Sequence, residues 1–533
     1  MNDPTPKNEI KSGNIAAALA VMHSGVTSAY AYPGTPSTEI MEYLSRNMPA
    51  AFWSTNEKTA LESALGVSYA GGRSFVSMKH VGLNVAADPF MSGANMKING
   101  GIVIVVADDP GMHSSQNEQD TRYFADFART PCFEPTTVQE TYDMIREGFD
   151  ISEKYNKLVV VRMTTRLSHS KGSLALRPPL QKMQKEVAKS QDWNVVPAFS
   201  KRNWQRVLDQ YHMLESLSET IACNSVNTTK GEVGVITSGL GKQYFLEQKL
   251  NLPHLHVGFY PFPAAKIADF AKGLTKIYVI EEGYPYLERY LRGIIPPHQE
   301  ILGKLNGTFP LAGELSPDTV AKGFGIQNDK ETLEIARLEN MPPRPPQLCK
   351  GCPHADSFTF IAEGIKGMDN VIVNADIGCY SLGSLPPFAL PITLVDMGAS
   401  IPMAKGAADS GKTAIGIIGD STFMHSGMTG LVDCIANNSP VVIVILDNIT
   451  TAMTGGQPQV IPGERIAEIV QAIGVDKDHI RILNPLPPHL EKNSAILREE
   501  LDYPGVSVII SKRECIETLR KSVKMKKEAK NAV

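Results

Sequence analysis

Cysteine is scarce in this chain, seven in 533 residues. Seven are too few for a disulfide framework at this length, so any that cluster are read as metal ligands or redox groups in a reducing compartment. No apolar run approaches the roughly 20 residues of a membrane span. The opening MNDPTPKNEIKSGN also lacks the apolar core of a signal peptide, so a cytoplasmic location away from membranes is expected. Basic blocks are missing too. With 56 acidic against 52 basic residues and a formal net charge of -4, nothing suggests a nucleic-acid partner. The ending KSVKMKKEAKNAV reads as a solvated helix end. What remains is an ordinary globular composition, 42% hydrophobic and 20% charged, with length enough for three domains.

The pattern along the chain is α/β. In residues 1–185, short apolar runs alternate with helical stretches: VTSAYAYPG, a helix from Glu57 to Tyr69, then SFVSMKH, GIVIVVADDPG and KLVVVRMTT. A polar, poorly periodic stretch, placed at 186–230, reads as a linker with helical parts. Residues 231–330 carry a smaller unit with GEVGVITSG, HLHVGFYPFP and KIYVIEEG. The prolines of MPPRPPQ mark a second linker. Residues 345–525 contain VIVNAD, ITLVDMGAS and GVSVIISK around the most informative segment.

That segment runs from Thr413 to Gln457. Two apolar runs of buried-strand length, AIGII and PVVIVIL, end in Gly419-Asp420 and Asp447-Asn448. Between them MTGLVDCIANN has helical spacing, so the whole reads as strand, helix and strand of a parallel sheet. Ligands of such sheets bind beyond the carboxyl ends of the strands, where both polar pairs fall. A carboxylate and an amide oxygen side by side suit Mg²⁺, with a diphosphate supplying further ligands.

These residues resemble the thiamine-diphosphate motif, which opens GDG and closes on an Asn-containing pair somewhat under thirty residues later. Asp420 and Asn448 stand twenty-eight positions apart, and Ser421 takes the place of the second Gly. The tail TGGQ and the run GDSTFMHSG are similar to the 2-oxoacid:ferredoxin oxidoreductases, specifically their indolepyruvate branch. The resemblance implies two thiamine-diphosphate-binding parallel-sheet domains, pyrimidine and diphosphate, with a smaller α/β transketolase-C-like domain between them. It implies thiamine diphosphate held by Gly419, Asp420, Ser421, Asn448, Thr450 and Gly398, with Mg²⁺ on Asp420, Asn448 and Thr450.

STNEKTALESALG resembles the family segment that carries the glutamate facing the cofactor's aminopyrimidine. Glu57 holds the matching position, and Glu62 on the same helix is the competitor. Read alone, Glu57 is also a first-turn glutamate suited to the helix dipole. The loop YPGTPS, nearly fixed by two prolines, is similar to a substrate-facing loop of the family, which gives Thr35 that role. The pairs Lys79-His80 and His113-Ser114 follow strands and suit a substrate carboxylate; His80 joins Glu57 and Thr35 as a catalytic candidate. The arginine that reads this carboxylate in pyruvate enzymes has no counterpart in ADDPGMHSSQNEQD.

Cys349 and Cys352 form CKGC, Cys379 follows VIVNADIG, and Cys515 follows GVSVIISKRE. Two thiolates of a tight loop with two from strand ends suit one 4Fe-4S cluster; zinc is the rival occupant. Cys132, Cys223 and Cys434 read as buried, unliganded thiols. The resemblance then implies oxidative decarboxylation of an aryl 2-oxoacid, with coenzyme A as acyl acceptor, ferredoxin or another protein as electron acceptor, a smaller β subunit and an α2β2 assembly. No CxxCxxCxxxCP run of the ferredoxin-like domain occurs in this sequence, so electrons leaving the inner cluster are expected to pass to another protein. A non-oxidative thiamine-dependent decarboxylase is the alternative enzyme, and an inactive assembly subunit the alternative without catalysis.

Overall fold

Runs rich in Val, Ile and Ala, too short for buried helices and bounded by Gly and polar residues, become central strands. The computed structural model describes residues 9–182, 184–187, 191–326, 346–461 and 463–531. The chain forms two compact units, Met1–Arg337 and Leu338–Val533.

The first unit holds a seven-stranded sheet in the order Phe259–Tyr260, Cys132–Phe133, Val159–Thr164, Ile102–Asp108, Ser74–Lys79, Ser28–Ala31 and Ala51–Trp53. All neighbours are parallel except the outer pair, Phe259–Tyr260 on Cys132–Phe133. Beside it stands a five-stranded sheet, Glu300–Leu302, Lys276–Ile280, Val233–Ser238, His254–Val257 and Ser225–Val226. The chain leaves His254–Val257 and two residues later lends Phe259–Tyr260 to the larger sheet. The two α/β regions of this unit are therefore stitched together by one short strand.

The helix expected at Glu57–Tyr69 is present with those bounds. Asn56 and Thr59 form a reciprocal capping box at its start, and Ala60, Leu61, Ala64 and Leu65 form its buried stripe. The stretch read as a linker contains a 22-residue helix, Pro197–Ser218. Its buried residues are Asn203, Val207, Leu214 and Ser218, a stripe too narrow and too polar to register as periodicity. Most of MPPRPPQ lies outside the described residues.

A buried charge network joins the two sheets. The side chains of Arg122 and Arg162 have no exposed surface. Arg162 bonds Asp108 at 2.6 Å, Glu134, and the Glu282 carbonyl at 3.2 Å. Arg122 holds Asp120, reaches Glu281 at 2.9 Å and donates to Ser238 Oγ at 3.1 Å. Asp108 and Arg162 belong to the larger sheet, while Ser238 ends a strand of the smaller one and Glu281 and Glu282 follow another.

In the second unit six parallel strands run Thr393–Leu394, Val371–Ala375, Thr413–Gly419, Val441–Asp447, Val506–Lys512 and Ile480–Leu483. Along the central strands alternate residues enter different cores. Val441, Ile443 and Ile445 pack with Ile401, Leu431 and Val470; Val442, Val444 and Leu446 pack with Phe358, Ile361 and Leu497. Helices thus cover both faces, as a continuous apolar strand requires. Cys132 and Cys434 are fully buried among apolar residues, whereas Cys223, expected to be buried, is only partly so, next to the short exposed strand Ser225–Val226. Among the described residues no helix is long and apolar enough to cross a membrane.

Removing one arm of the charge network leaves an opposite charge buried and unpaired. Arg162→Met should cost about 3–5 kcal/mol of stability, read as a lower denaturant midpoint. Pairing it with Asp108→Asn should cost less than the two single changes summed. Strict additivity would show that the two residues do not share a network.

Candidate functional site

Parallel strands Thr413–Gly419 and Val441–Asp447 are neighbours, with Gly419 in register with Leu446. Their next residues therefore emerge together at the carboxyl edge, Asp420 from one and Asp447-Asn448 from the other. Asp420 is 3% exposed and Asp447 1%. Asp420 accepts from the amides of Ser421 at 2.7 Å, Asn448 at 3.0 Å and Ile449 at 2.8 Å, and from the Gln459 side chain. Even so, burial and the adjacent Asp447 carboxyl push it well above the usual carboxylate range. Asp447 Oδ2 has no hydrogen-bond partner, and a Cβ on Gly463 would stand 2.7 Å from the same carboxylate.

Two buried carboxyls side by side, with the Lys512 amine no nearer than 3.8 Å to Asp447 Oδ2, form a donor set that fits a hard divalent cation. Ile449 takes φ 63°, and the tight turn lets the Asn448 side-chain oxygen accept from the Thr450 amide at 3.2 Å. Ser421 Oγ meets Thr451 Oγ1 at 2.9 Å. Gly398, at φ 95°, gives its amide to Asp376 at 3.1 Å. Asp376 also accepts from Ser400 and Tyr380, and burial raises it to about 7.

All four candidate cysteines line one cavity of about 130 Å³, which His354 and Asn448 also line. The Cys515 amide donates to the Asn448 carbonyl at 3.1 Å, so this cavity grows from the turn that carries the Asn. Burial, with the three other sulfurs nearby, pushes the Cys379 thiol up to about 12. Burial also raises Cys352, which precedes helix Pro353–Gly364, although the nearby His354 and Ala355 amides at the start of that helix oppose the rise. Among the described residues no three His, Cys, Asp or Glu side chains are grouped to hold a single metal ion. Four thiols lining one cavity are the number and kind of ligands that a 4Fe-4S cluster takes.

In the first unit Glu57 is 5% exposed at the start of its helix. Its carboxyl lies flat against Gly82, where a Cβ would approach Oε1 to 2.6 Å. Lys79 ends strand Ser74–Lys79, its stem crossing Gly34 of the YPGTPS loop and its Nζ donating to the Ser114 carbonyl at 2.9 Å. Burial lowers the Lys79 amine to about 8, although the charges of Asp109 and Glu57 partly restore it. Ser114 in turn donates to the Thr35 carbonyl at 3.2 Å. Thr35, Lys79 and Ser114 thus form one continuous group.

His80 reaches the same loop as Lys79, residues 109–120. Its Nε2 bonds the Asn117 carbonyl at 3.1 Å. His113 is exposed and faces Glu314 at 3.4 Å. Glu62 is also exposed and pairs with Lys58, which leaves Glu57 as the buried carboxylate of that helix. Sequence reading passed over Gln459 and His354. Gln459 carries no motif. His354 is marked only by following Cys352; it is buried, pushed down to about 4 by burial, and its Nε2 lies 3.2 Å from Asn448 Nδ2.

Comparison with known proteins agrees with this layout. Residues 19–203 match the family described as pyruvate flavodoxin/ferredoxin oxidoreductase, thiamine diP-bdg. Residues 376–510 match the thiamine pyrophosphate enzyme, C-terminal TPP binding domain. Indolepyruvate oxidoreductase subunit IorA of Archaeoglobus fulgidus is 37% identical over 94% of this chain and 86% of that relative. The chain belongs to the indolepyruvate oxidoreductase IorA family. The IorA of Pyrococcus abyssi is 36% identical over 94% of the chain and 85% of its own length.

The α/β fold is shared with 2-oxoglutarate:ferredoxin oxidoreductase from Magnetococcus marinus, at TM-score 0.50 and 17% identity over 61% of this chain and 66% of that one. As an IorA-family member the protein is an oxidoreductase of the thiamine-dependent 2-oxoacid class.

The contact between Glu57 and Gly82 yields a test by a single methyl group. Gly82→Ala should displace the carboxyl and lower turnover at saturating cofactor by at least about tenfold, the lower reach of acid-base effects. Turnover equal to the parent's would show that the position of Glu57 does not matter.

Proposed function

We propose that this chain is the large catalytic subunit of a cytoplasmic enzyme that oxidatively decarboxylates an aryl 2-oxoacid of the indolepyruvate type. The overall reaction converts the 2-oxoacid and coenzyme A, with two oxidised one-electron acceptors such as ferredoxin, to acyl-CoA, CO₂, a proton and two reduced acceptors. A smaller β subunit completes the enzyme, in an α2β2 assembly. The observation that carries this reading is the cavity lined by Cys349, Cys352, Cys379 and Cys515 and sharing Asn448 with the turn beside Asp420. A simple decarboxylase has no use for four thiols there.

When bound, thiamine diphosphate supplies the nucleophilic carbon and electron sink for cleavage beside the ketone, and a 4Fe-4S cluster accepts electrons singly. Asp420, Asn448 and the Thr450 carbonyl would hold Mg²⁺, with Gly419, Ser421 and Gly398 shaping the diphosphate pocket. Glu57 would hold the proton that the aminopyrimidine needs, in a buried position that excludes water. Lys79 and Thr35 would orient the substrate carboxylate, which assigns to Lys79 the task expected of His80. The four cysteines would ligate the cluster.

The test is anaerobic purification with any co-purifying small subunit, followed by a viologen-linked screen of aryl and alkyl 2-oxoacids. About four irons per chain are expected, with the fastest dye reduction on aryl substrates. Iron-free protein that still releases CO₂ would replace this reading with the non-oxidative one. Cys515→Ala should lose or degrade the cluster, while Cys223→Ala should keep the parent's iron content; equal iron in both would remove Cys515 from the ligand set.

Lys79 makes the reaction sensitive to pH. Its ammonium form is lost as pH climbs through about 8, so KM for the 2-oxoacid should rise above that pH. Lys79→Met should raise KM roughly ten- to a hundredfold, the size of a lost charge-assisted hydrogen bond, and flatten its dependence on pH near 8. A Met variant whose KM still climbs there would assign the titration to another group.

A further inference from the structure

His354 is 3% exposed and stands two residues beyond Cys352, in the first turn of helix Pro353–Gly364. Its ring meets Tyr380 edge to face, with centroids 5.9 Å apart at 86°. Hydrogen bonding fixes which nitrogen carries the proton. The Thr450 amide donates to Asn448 Oδ1 at 3.2 Å, which sets the Asn448 amide group with Nδ2 toward the ring. That Nδ2 lies 3.2 Å from His354 Nε2. An amide nitrogen only donates, so Nε2 must accept. The neutral imidazole therefore carries its hydrogen on Nδ1.

Nδ1 is buried and has no hydrogen-bond partner. A buried N–H donor left unsatisfied costs about 1–3 kcal/mol, which a retained structural histidine would avoid. His354 lines the cavity that Cys349, Cys352, Cys379 and Cys515 also line.

We propose that His354 is a positioning residue joining the two sites of the second unit: Nε2 fixes the Asn448 amide, and Nδ1–H donates to a sulfur acceptor in the cysteine-lined cavity. This rests on reading the four cysteines as cluster ligands. The Asn448 carboxamide is thereby held with its oxygen turned away from the ring, as a cation ligand must be, by a second hydrogen-bonded group. The same imidazole places a hydrogen bond on a cluster sulfur, which stabilises the reduced, more negative cluster and raises its potential. His354 spans the distance between these sites with one side chain.

The full chain with its co-purifying subunit is compared anaerobically as parent, His354→Phe and His354→Gln. Iron content, midpoint potential followed by electron paramagnetic resonance, and calorimetric titration with Mg²⁺ and thiamine diphosphate are measured. The Phe variant should show a more negative midpoint potential and roughly tenfold weaker cofactor binding, as loss of a group supporting a ligand usually gives. The Gln variant should shift less, in the same direction. Parent-like potential and affinity in the Phe variant overturn the proposal, and if that variant carries no iron the Gln variant decides in the same sense. A parent without iron overturns the cluster reading and with it the sulfur contact; a parent with iron and variants of unchanged potential overturns only the role of His354.

Discussion

Two carboxylates that cannot both be comfortable govern the second unit. Neighbouring parallel strands deliver Asp420 and Asp447 to one buried spot, where lost hydration and each other's charge disfavour both being ionised at once. The backbone bends to meet them. Asp420 draws in the amides of Ser421, Asn448 and Ile449, and the positive φ of Ile449 turns the following Thr450 amide back onto Asn448 Oδ1. Once bent, that turn presents the Asn448 side chain to His354 and the Asn448 carbonyl to the Cys515 amide. The cysteine cavity follows from the same local strain, so cofactor-binding edge and thiol-lined cavity are one construction.

The first unit uses buried charge differently. There Arg122 and Arg162 are each bonded directly to more than one of Asp108, Asp120, Glu134 and Glu281, and burial raises Glu281 toward its neutral form. The network fixes how two sheets stand and leaves Lys79 apart, with its amine given to a carbonyl and no carboxylate in direct contact. A cation of that kind is available to an incoming anion, whereas a fully paired arginine is not.

Much of this was legible beforehand, for physical reasons. Continuous apolar runs ending in polar pairs gave the central strands, and their ends gave the candidate site, because parallel sheets place ligands there. The spacing of Asp420 and Asn448 pointed to the thiamine-enzyme class that the family matches share. Contacts between residues far apart in sequence were not legible. Gln459 is thirty-nine positions from its partner Asp420, and Arg122 bonds Glu282 across 160; neither separation leaves a local signal. The choice between Lys79 and His80 turned on which of two consecutive side chains faces the Thr35 loop. Strand Ser74–Lys79 ends between them, so period-two alternation stops at the position where it was needed.

Glycine explains a further part of what stayed hidden. Gly82 and Gly463 each press against a buried carboxylate, of Glu57 and of Asp447, so closely that a methyl group would collide with it. In both cases the glycine faces the acid from another element, and the missing side chain lets backbone approach the carboxylate where water would otherwise enter. A pocket built in this way excludes solvent with main chain, which raises the cost of the bare charge and strengthens whatever cation or proton relieves it. Sequence shows such a glycine as an ordinary turn or helix residue. Only the packed structure reveals that its missing Cβ is what gives the carboxylate its environment.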